Sequence, residues 1–305
     1  MISVRRRTLL AAAGMVGGGA LMPASATLAA SVFSVTDFGA RGDGTTDDGA
    51  AVRAAIQAAS RSGPGATVFF PAGRYVIGGD GTPGGEAARA HLLLAGVKGL
   101  TLAGQDGAVL LFNDPLRDGI ACHDCTGVTL RGLAIDWHPL PFTQGTIVAV
   151  DPDRAEFGTF DWLLTGGFPS PLAPPLAELA TRGIVFPSRR KGVDNVHYRD
   201  LDQLSEDTFR FHLHARGLSQ HVRLLQAGDR FVPTIQGREQ PAGNAIAFHS
   251  SVGCQLEQIS IYTSPRAGVI SSSSTGVETR QSVISPPAGS DRWVSIAPYH
   301  TRVLG

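Results

Sequence analysis

Ile120-Ala-Cys-His-Asp-Cys-Thr-Gly-Val-Thr-Leu-Arg-Gly-Leu-Ala-Ile-Asp136 and Ile246-Ala-Phe-His-Ser-Ser-Val-Gly-Cys-Gln-Leu-Glu-Gln-Ile-Ser-Ile-Tyr262 are two copies of one pattern. Cys122 falls on Phe248, His123 on His249 and Gly127 on Gly253, while Leu130, Leu133 and Ile135 fall on Leu256, Ile259 and Ile261. A third copy begins 23 residues after the second, running from Val269 to Ile284 with Gly276 on Gly253. A fainter copy precedes them, from Leu92 to Leu102 with Gly99 at the bend. A period near 23, apolar residues at alternate positions and Gly at the bends describe stacked coils of short strands. Each coil buries its inward side chains against the next, so the expected fold is all-β, a solenoid of parallel strands.

Upstream, Phe33-Ser-Val-Thr-Asp-Phe-Gly-Ala-Arg-Gly-Asp-Gly-Thr-Thr-Asp-Asp48 reads as a short strand and a Gly/Asp turn. Val52, Ile56 and Ala59 then lie on one face of a helix. Asp47 or Asp48 can cap it, since a carboxylate accepts the orphan N–H groups of a first turn. Thr67-Val-Phe-Phe-Pro-Ala-Gly-Arg-Tyr-Val-Ile77 follows as strand, tight turn and strand. This segment resembles the opening of pectin-lyase-like proteins, a group that includes polygalacturonases, rhamnogalacturonases, pectate-lyase-superfamily proteins and phage tail-spike depolymerases. The resemblance implies a right-handed parallel β-helix, with the helix as a cap over its N-terminal mouth. It also makes the Asp47–Asp48 pair a capping feature and not a catalytic one.

The first two full copies are too far apart for one coil, so residues 139–243 are expected to be a small β-rich insertion. Its strands are predicted at Thr146–Asp151, Arg154–Phe157, Thr208–His214 and Gly228–Val232, with a proline-rich loop from Phe168 to Pro175. The expected organisation is a leader at 1–30, cap and first coils at 31–138, the insertion, and further coils at 244–305. The leader has Arg5-Arg6-Arg7-Thr8-Leu9-Leu10, an apolar stretch to Leu21 and small residues at Ala24-Ser25-Ala26. That is a signal peptide resembling the twin-arginine type, too short to span a membrane, which implies export to the periplasm or the medium.

Lys plus Arg and Asp plus Glu are balanced at 26 each, which argues against nucleic acid or an anionic membrane as partner. Cys122 and Cys125 have C-x-x-C spacing, but no second ligand pair stands at zinc spacing. All three cysteines are therefore read as small core residues. No metal and no cofactor is expected.

The stretch Ile135-Asp-Trp-His-Pro-Leu-Pro-Phe-Thr-Gln-Gly145 is the sharpest signature after the opening segment. It resembles β-helix glycosidases such as the bacterial α-1,3-galactosidases of glycoside hydrolase family 110. Gly228-Asp-Arg230, Ser264–Ile270 and Ser290-Asp-Arg-Trp-Val-Ser295 fit the same pattern. Asp136, Trp137, Gln144, Asp291 and Arg292 are the candidate substrate-binding residues, because carboxylates bind sugar hydroxyls and an aromatic face stacks on a pyranose ring. In the site reading Asp291 and Arg292 are placed to pair; the alternatives are that Asp136 ends a strand as a turn acceptor, that Trp137 packs against the insertion, and that Asp291-Arg292-Trp293 is a solvated turn after Pro286-Pro287. His123 and His249 read as a structural ladder.

Glycoside hydrolysis needs two carboxyl groups about 5 Å or roughly 6.5–9.5 Å apart. The resembling families carry an Asp-rich stretch after the segment equivalent to Arg292–Ser295. Ile296–Gly305 contains no carboxylate side chain, so no catalytic residue is assigned and the catalytic coils are expected to be missing. The sequence supports a glycosidase-like protein acting on a polysaccharide or oligosaccharide. A pectate-type lyase and a non-catalytic glycan-binding solenoid are the alternatives. An open last coil is expected to drive aggregation or end-to-end dimerisation.

Overall fold

The structure is a computed structural model that describes residues 31–79, 89–186, 195–214, 222–235 and 242–295. The leader at 1–30 and the stretch 296–305 lie outside the described residues. In chain order the first elements are β1 (Val32–Ser34), β2 (Asp43–Asp47), α1 (Gly49–Ser62), β3 (Thr67–Phe70), β4 (Gly73–Ile77), β5 (Ala90–Ala95), β6 (Thr101–Gly104), β7 (Ala108–Phe112), β8 (Asp118–His123), β9 (Thr129–Arg131) and β10 (Ala134–Trp137). Then come β11 (Gly145–Asp151), β12 (Thr159–Leu164), α2 (Leu176–Leu179), β13 (Arg182–Phe186), β14 (Asn195–Gln203), β15 (Thr208–Leu213) and β16 (Arg230–Thr234). The last are β17 (Ile246–His249), β18 (Gln255–Glu257), β19 (Ser260–Ile261), β20 (Val269–Ser272), β21 (Glu278–Arg280) and β22 (Val283–Ile284).

From β3 onward, and leaving out the β11–β16 segment, every third strand returns to the same sheet. Sheet 1 runs β1-β3-β6-β9-β18-β21, sheet 2 runs β2-β4-β7-β10-β19-β22, and sheet 3 runs β5-β8-β17-β20, all with parallel neighbours. The registers fall where the repeat puts them: Leu92, Ile120, Ile246 and Val269 form one row, and His123 pairs with His249. The glycines of the repeat explain its bends. Gly99, Gly127, Gly253 and Gly276 share φ between 60° and 64°, a left-handed conformation that a Cβ disfavours. Leu92, Leu94, Ile120, Cys122, Ile246 and Phe248 join the main core, while Ala121 and Ala247, at the alternate positions of sheet 3, form a separate small cluster on its other face.

Helix α1 packs against β1, β3, β4 and β5 and puts Val52, Ala55, Ile56 and Ala59 into the same core. Its start differs from a simple cap. Asp48 occupies the N-cap position, but its carboxylate accepts from Arg41 N at 2.7 Å and Gly42 N at 3.0 Å. Asp47 takes the helical end instead, accepting from Gly49 N at 2.8 Å and from Gly78 N at 3.0 Å.

Strands β11–β16 form a closed antiparallel barrel in the order β11-β12-β15-β14-β13-β16. Its interior is aromatic: Phe160 stacks on Phe211 at 5.1 Å, and Phe231 and Tyr198 meet Phe211 edge-on. Trp162 Nε1 donates to Phe231 O at 3.1 Å, so the one polar atom of that ring is satisfied. The strand predicted at Arg154–Phe157 is a turn, with Ala155 at φ 58° and Gly158 at φ 83°; β12 starts only at Thr159. Across the barrel segment the coils close up directly, β17 lying on β8.

Candidate functional site

The structure brings together Asp136, Gln144, Asp291 and Arg292 of the five residues singled out by sequence, while the Trp137 ring turns away from them. Ile135 and Trp137 turn inward on β10, so Asp136 lies on the outer face of sheet 2, where it is 3% exposed. Arg292 Nη1 donates to both its carboxylate oxygens, at 2.9 and 3.0 Å, and to Thr263 Oγ1 at 3.2 Å. Gln144 brackets the same tail: its Nε2 donates to Asp291 O at 2.8 Å and its Oε1 accepts from Trp293 N at 3.0 Å. Arg230 of the barrel stands 4.8 Å over the Trp293 ring, and Ser264 N donates to Ser295 O at 2.8 Å. Residues 291–295 thus form a clasp between the coils and the barrel.

This geometry changes two sequence expectations. Arg292 pairs with Asp136, from far away in the chain, and not with its neighbour Asp291. Trp137 packs into the coil core and not into the barrel's core. Its ring is 1% exposed, lies 5.2 Å from Phe112 in the coil core, and its Nε1 donates to Asp114 O at 3.4 Å. Gln144 is likewise fully buried, with both amide atoms engaged.

A second constellation lies on the outer face of sheet 3; sequence singled out only its His123–His249 ladder, as a structural feature, and not Asp118, Asn244 or Arg266. Asp118 opens β8, and its Oδ1 accepts from both Asn244 N (2.7 Å) and Asn244 Nδ2 (2.8 Å), a tie between coils on either side of the barrel segment. Burial pushes the Asp118 carboxyl above its usual range; the Asn244 bonds, then the charges of His249 and Arg266, act in the other direction. Farther along the same sheet the His123 and His249 rings lie 4.7 Å apart. Asn244 is buried, and its Oδ1 has no hydrogen-bond partner among the described residues. Perturbed carboxyls beside cations mark sites that do chemistry more often than chance allows.

Asp118 is held from behind. His91 is buried; its Nε2 accepts from Asp114 N at 3.1 Å, so Nδ1 carries the proton and donates to Asp118 O at 3.0 Å. Burial holds the His91 imidazole below its ordinary pKa. Arg117 donates through Nε to Asp114 Oδ2 at 2.9 Å, while its Nη1 is buried with no partner among the described residues. The signal that could have found this site was Asp118 and Asn244, which precede the two copies of the repeat by the same two positions.

The cysteines are free and buried. Among the described residues no group of three or more His, Cys, Asp or Glu is placed to hold a metal ion.

Residues 32–81 match the family described as rhamnogalacturonase A/epimerase, pectate lyase-like. The chain is 53% identical over 55 residues to mannuronan C5-epimerase AlgE3 of Azotobacter vinelandii, covering 18% of this chain and 3% of that protein. It is 47% identical over 62 residues to alginate lyase 7 of the same organism, covering 20% and 7%. The chain thus spans under a tenth of these curated relatives. Among solved structures it is similar to the A-module of mannuronan C-5 epimerase AlgE4 of A. vinelandii (16% identity, 82% of this chain, 50% of that chain, TM-score 0.37). It is also similar to the family 28 exopolygalacturonase of Yersinia enterocolitica (15% identity, 85% and 40%, TM-score 0.40).

Proposed function

We propose that this chain, which carries a pectate lyase-like opening segment, is an exported carbohydrate-active right-handed parallel β-helix protein. In this reading α1 caps the first coil, the barrel at 139–243 is an insertion, and the outer face of sheet 3 handles a polysaccharide built of uronic acids. Relatives named for mannuronan epimerisation and alginate lysis support that substrate class. Export rests on the Arg5–Arg7 leader. Among the described residues no helix is long and apolar enough to cross a membrane.

The observation that carries the chemistry is the charge around Asp118. Asn244 ties the Asp118 carboxyl across the two coils at 2.7 and 2.8 Å, and the charges of His249 and Arg266 act on it. A carboxyl, an imidazole and a guanidinium fit proton removal beside a uronate carboxylate. In this scheme Arg266 neutralises the uronate carboxylate and His249, acting in its neutral form, takes the C5 proton. The freed electron pair forms the C4=C5 bond as the C4–O bond breaks, and the leaving oxygen collects a proton. Return of a proton to C5 from the opposite side would instead give the epimer. Asp118 and Asn244 position sugar hydroxyls. Asp136, Trp137, Gln144, Asp291 and Arg292 are read as the clasp that fixes the barrel and not as ligand contacts.

The test is incubation with polymannuronate, polygalacturonate and neutral glycans. Ultraviolet absorbance from an unsaturated product supports elimination, and solvent deuterium at C5 without it supports epimerisation. Reducing ends without absorbance support hydrolysis. Binding without turnover supports the glycan-binding reading.

A further inference from the structure

A cleft of about 170 Å³ opens on the barrel where β11, β12 and β15 run side by side, and Asp151, Arg154, Asp161 and Arg210 line it. The strands explain why these groups face outward. Phe160, Trp162, Phe209 and Phe211 fill the barrel core, so Asp161 and Arg210, at the positions between them, lie on the opposite face. β11 and β12 pair Ile147 with Trp162 and Ala149 with Asp161, so Val148 is one residue extra. A bulge of this kind bends its strand and re-aims the side chains beyond it. Ala149 and Asp151 come to line the cleft as a result. The volume is below the roughly 300–1,000 Å³ of sites that enclose a drug-sized molecule, and suits one unit of a longer chain.

The charges on its walls are arranged unequally. Arg210 donates to Asp161 from Nε at 2.7 Å and from Nη2 at 2.8 Å, a two-pronged pair whose side chains are each 20% exposed. That pair is a rigid wall, and Arg210 Nη1 takes no part in it. Asp202, beside Arg210 on β14, is engaged by His212 at 2.8 Å. Asp153 is likewise paired with Arg223 at 2.8 Å. Arg154 is exposed in the turn after β11, and among the described residues no carboxylate pairs with it.

We propose that this cleft binds one uronic acid unit of a polysaccharide, as a holding subsite carried by the barrel. Arg154 and Arg210 Nη1 donate to the uronate carboxylate, for which guanidinium geometry is suited. Asp151 accepts from a sugar hydroxyl. A small inorganic anion meets the negative charges of Asp151 and Asp161, and a neutral sugar brings nothing to Arg154. The cleft therefore favours a ligand that carries both a carboxylate and hydroxyls. The class of ligand rests on the same reading as the sheet 3 chemistry, whereas the place does not.

The test is isothermal titration of the whole chain with galacturonate and mannuronate trimers, a neutral glucose trimer and inorganic phosphate. At least one uronate trimer should bind, and the neutral trimer and phosphate should bind about ten-fold more weakly or worse. Arg154→Gln, in an exposed turn and so expected to fold, should weaken uronate binding by about ten-fold or more, the effect of losing a hydrogen bond to a charged group. Arg154→Lys should recover part of it. His249→Gln combined with Arg266→Gln disables the sheet 3 face and should leave this affinity unchanged. Uronate binding that depends on Arg154 in a protein with no turnover would uphold the barrel subsite while the sheet 3 chemistry fails. No uronate binding by wild type overturns the proposal, as does Arg154→Gln binding as wild type. Equal affinity for the neutral trimer overturns it too. Affinity lost in the His249→Gln, Arg266→Gln protein places the ligand on sheet 3 and overturns it while upholding the other site.

Discussion

Arg292 reaches back across 156 residues to place its Nη1 at 2.9 and 3.0 Å from the two carboxylate oxygens of Asp136. The carboxylate is 4% exposed and the guanidinium side chain 18%, so this pair is largely out of water. Its attraction is not screened as a surface pair would be, but each charge also depends on the other.

Removing one partner should therefore be costly. Arg292→Met is expected to lower stability by about 3 kcal/mol, because Asp136 stays buried and uncompensated. Asp136→Asn combined with Arg292→Met should lose less than Arg292→Met alone. Urea unfolding of the three proteins checks both expectations.

His91 should make the fold sensitive to mild acid. Its folded pKa is depressed from 6.5 by burial, and protonation would set a ring N–H against the Asp114 N–H. A base that folds in its neutral form contributes stability that is present above 6.5 and lost as the pH falls through its lower folded pKa. The melting temperature should decline over that window, and His91→Gln should flatten the decline.

Asp118 should act in the opposite sense. Its folded pKa is raised above 3.8, mainly by burial. Stability from this group is present below 3.8 and lost as the pH rises through the raised value. Asp118→Asn keeps an acceptor for Asn244 and removes the buried charge. The variant should melt higher than wild type at neutral pH, with the gap closing as the pH is lowered toward 3.8.

Much of the fold was readable because a repeat states its own register. Once Cys122 was set against Phe248 and His123 against His249, the pairing of β8 with β17 followed, although a whole barrel separates them. The barrel was harder. Only β11, β15 and β16 announced themselves, because β13 and β14 draw their meaning from neighbours distant in sequence. The composition of Asp136, Gln144 and Arg292 marked them as important, and they do converge. Their partners depend on the tail folding back, which no local pattern encodes. Asp118 and Asn244 escaped notice because each is an ordinary turn residue until the coils bring them within 2.7 Å.

The central claim is that the sheet 3 face acts on uronate polymers through His249 and Arg266, and proton exchange at C5 tests it most directly. Polymannuronate and polygalacturonate would be incubated in deuterated water with wild type, His249→Gln and Arg266→Gln, and followed by proton NMR. Wild type should lose C5 proton signal or generate unsaturated ends on at least one polymer. Both variants should fall by about a hundred-fold or more, the range expected for loss of a general base or a charge stabiliser. Full wild-type turnover in both variants, or turnover confined to neutral glycans, would contradict the account.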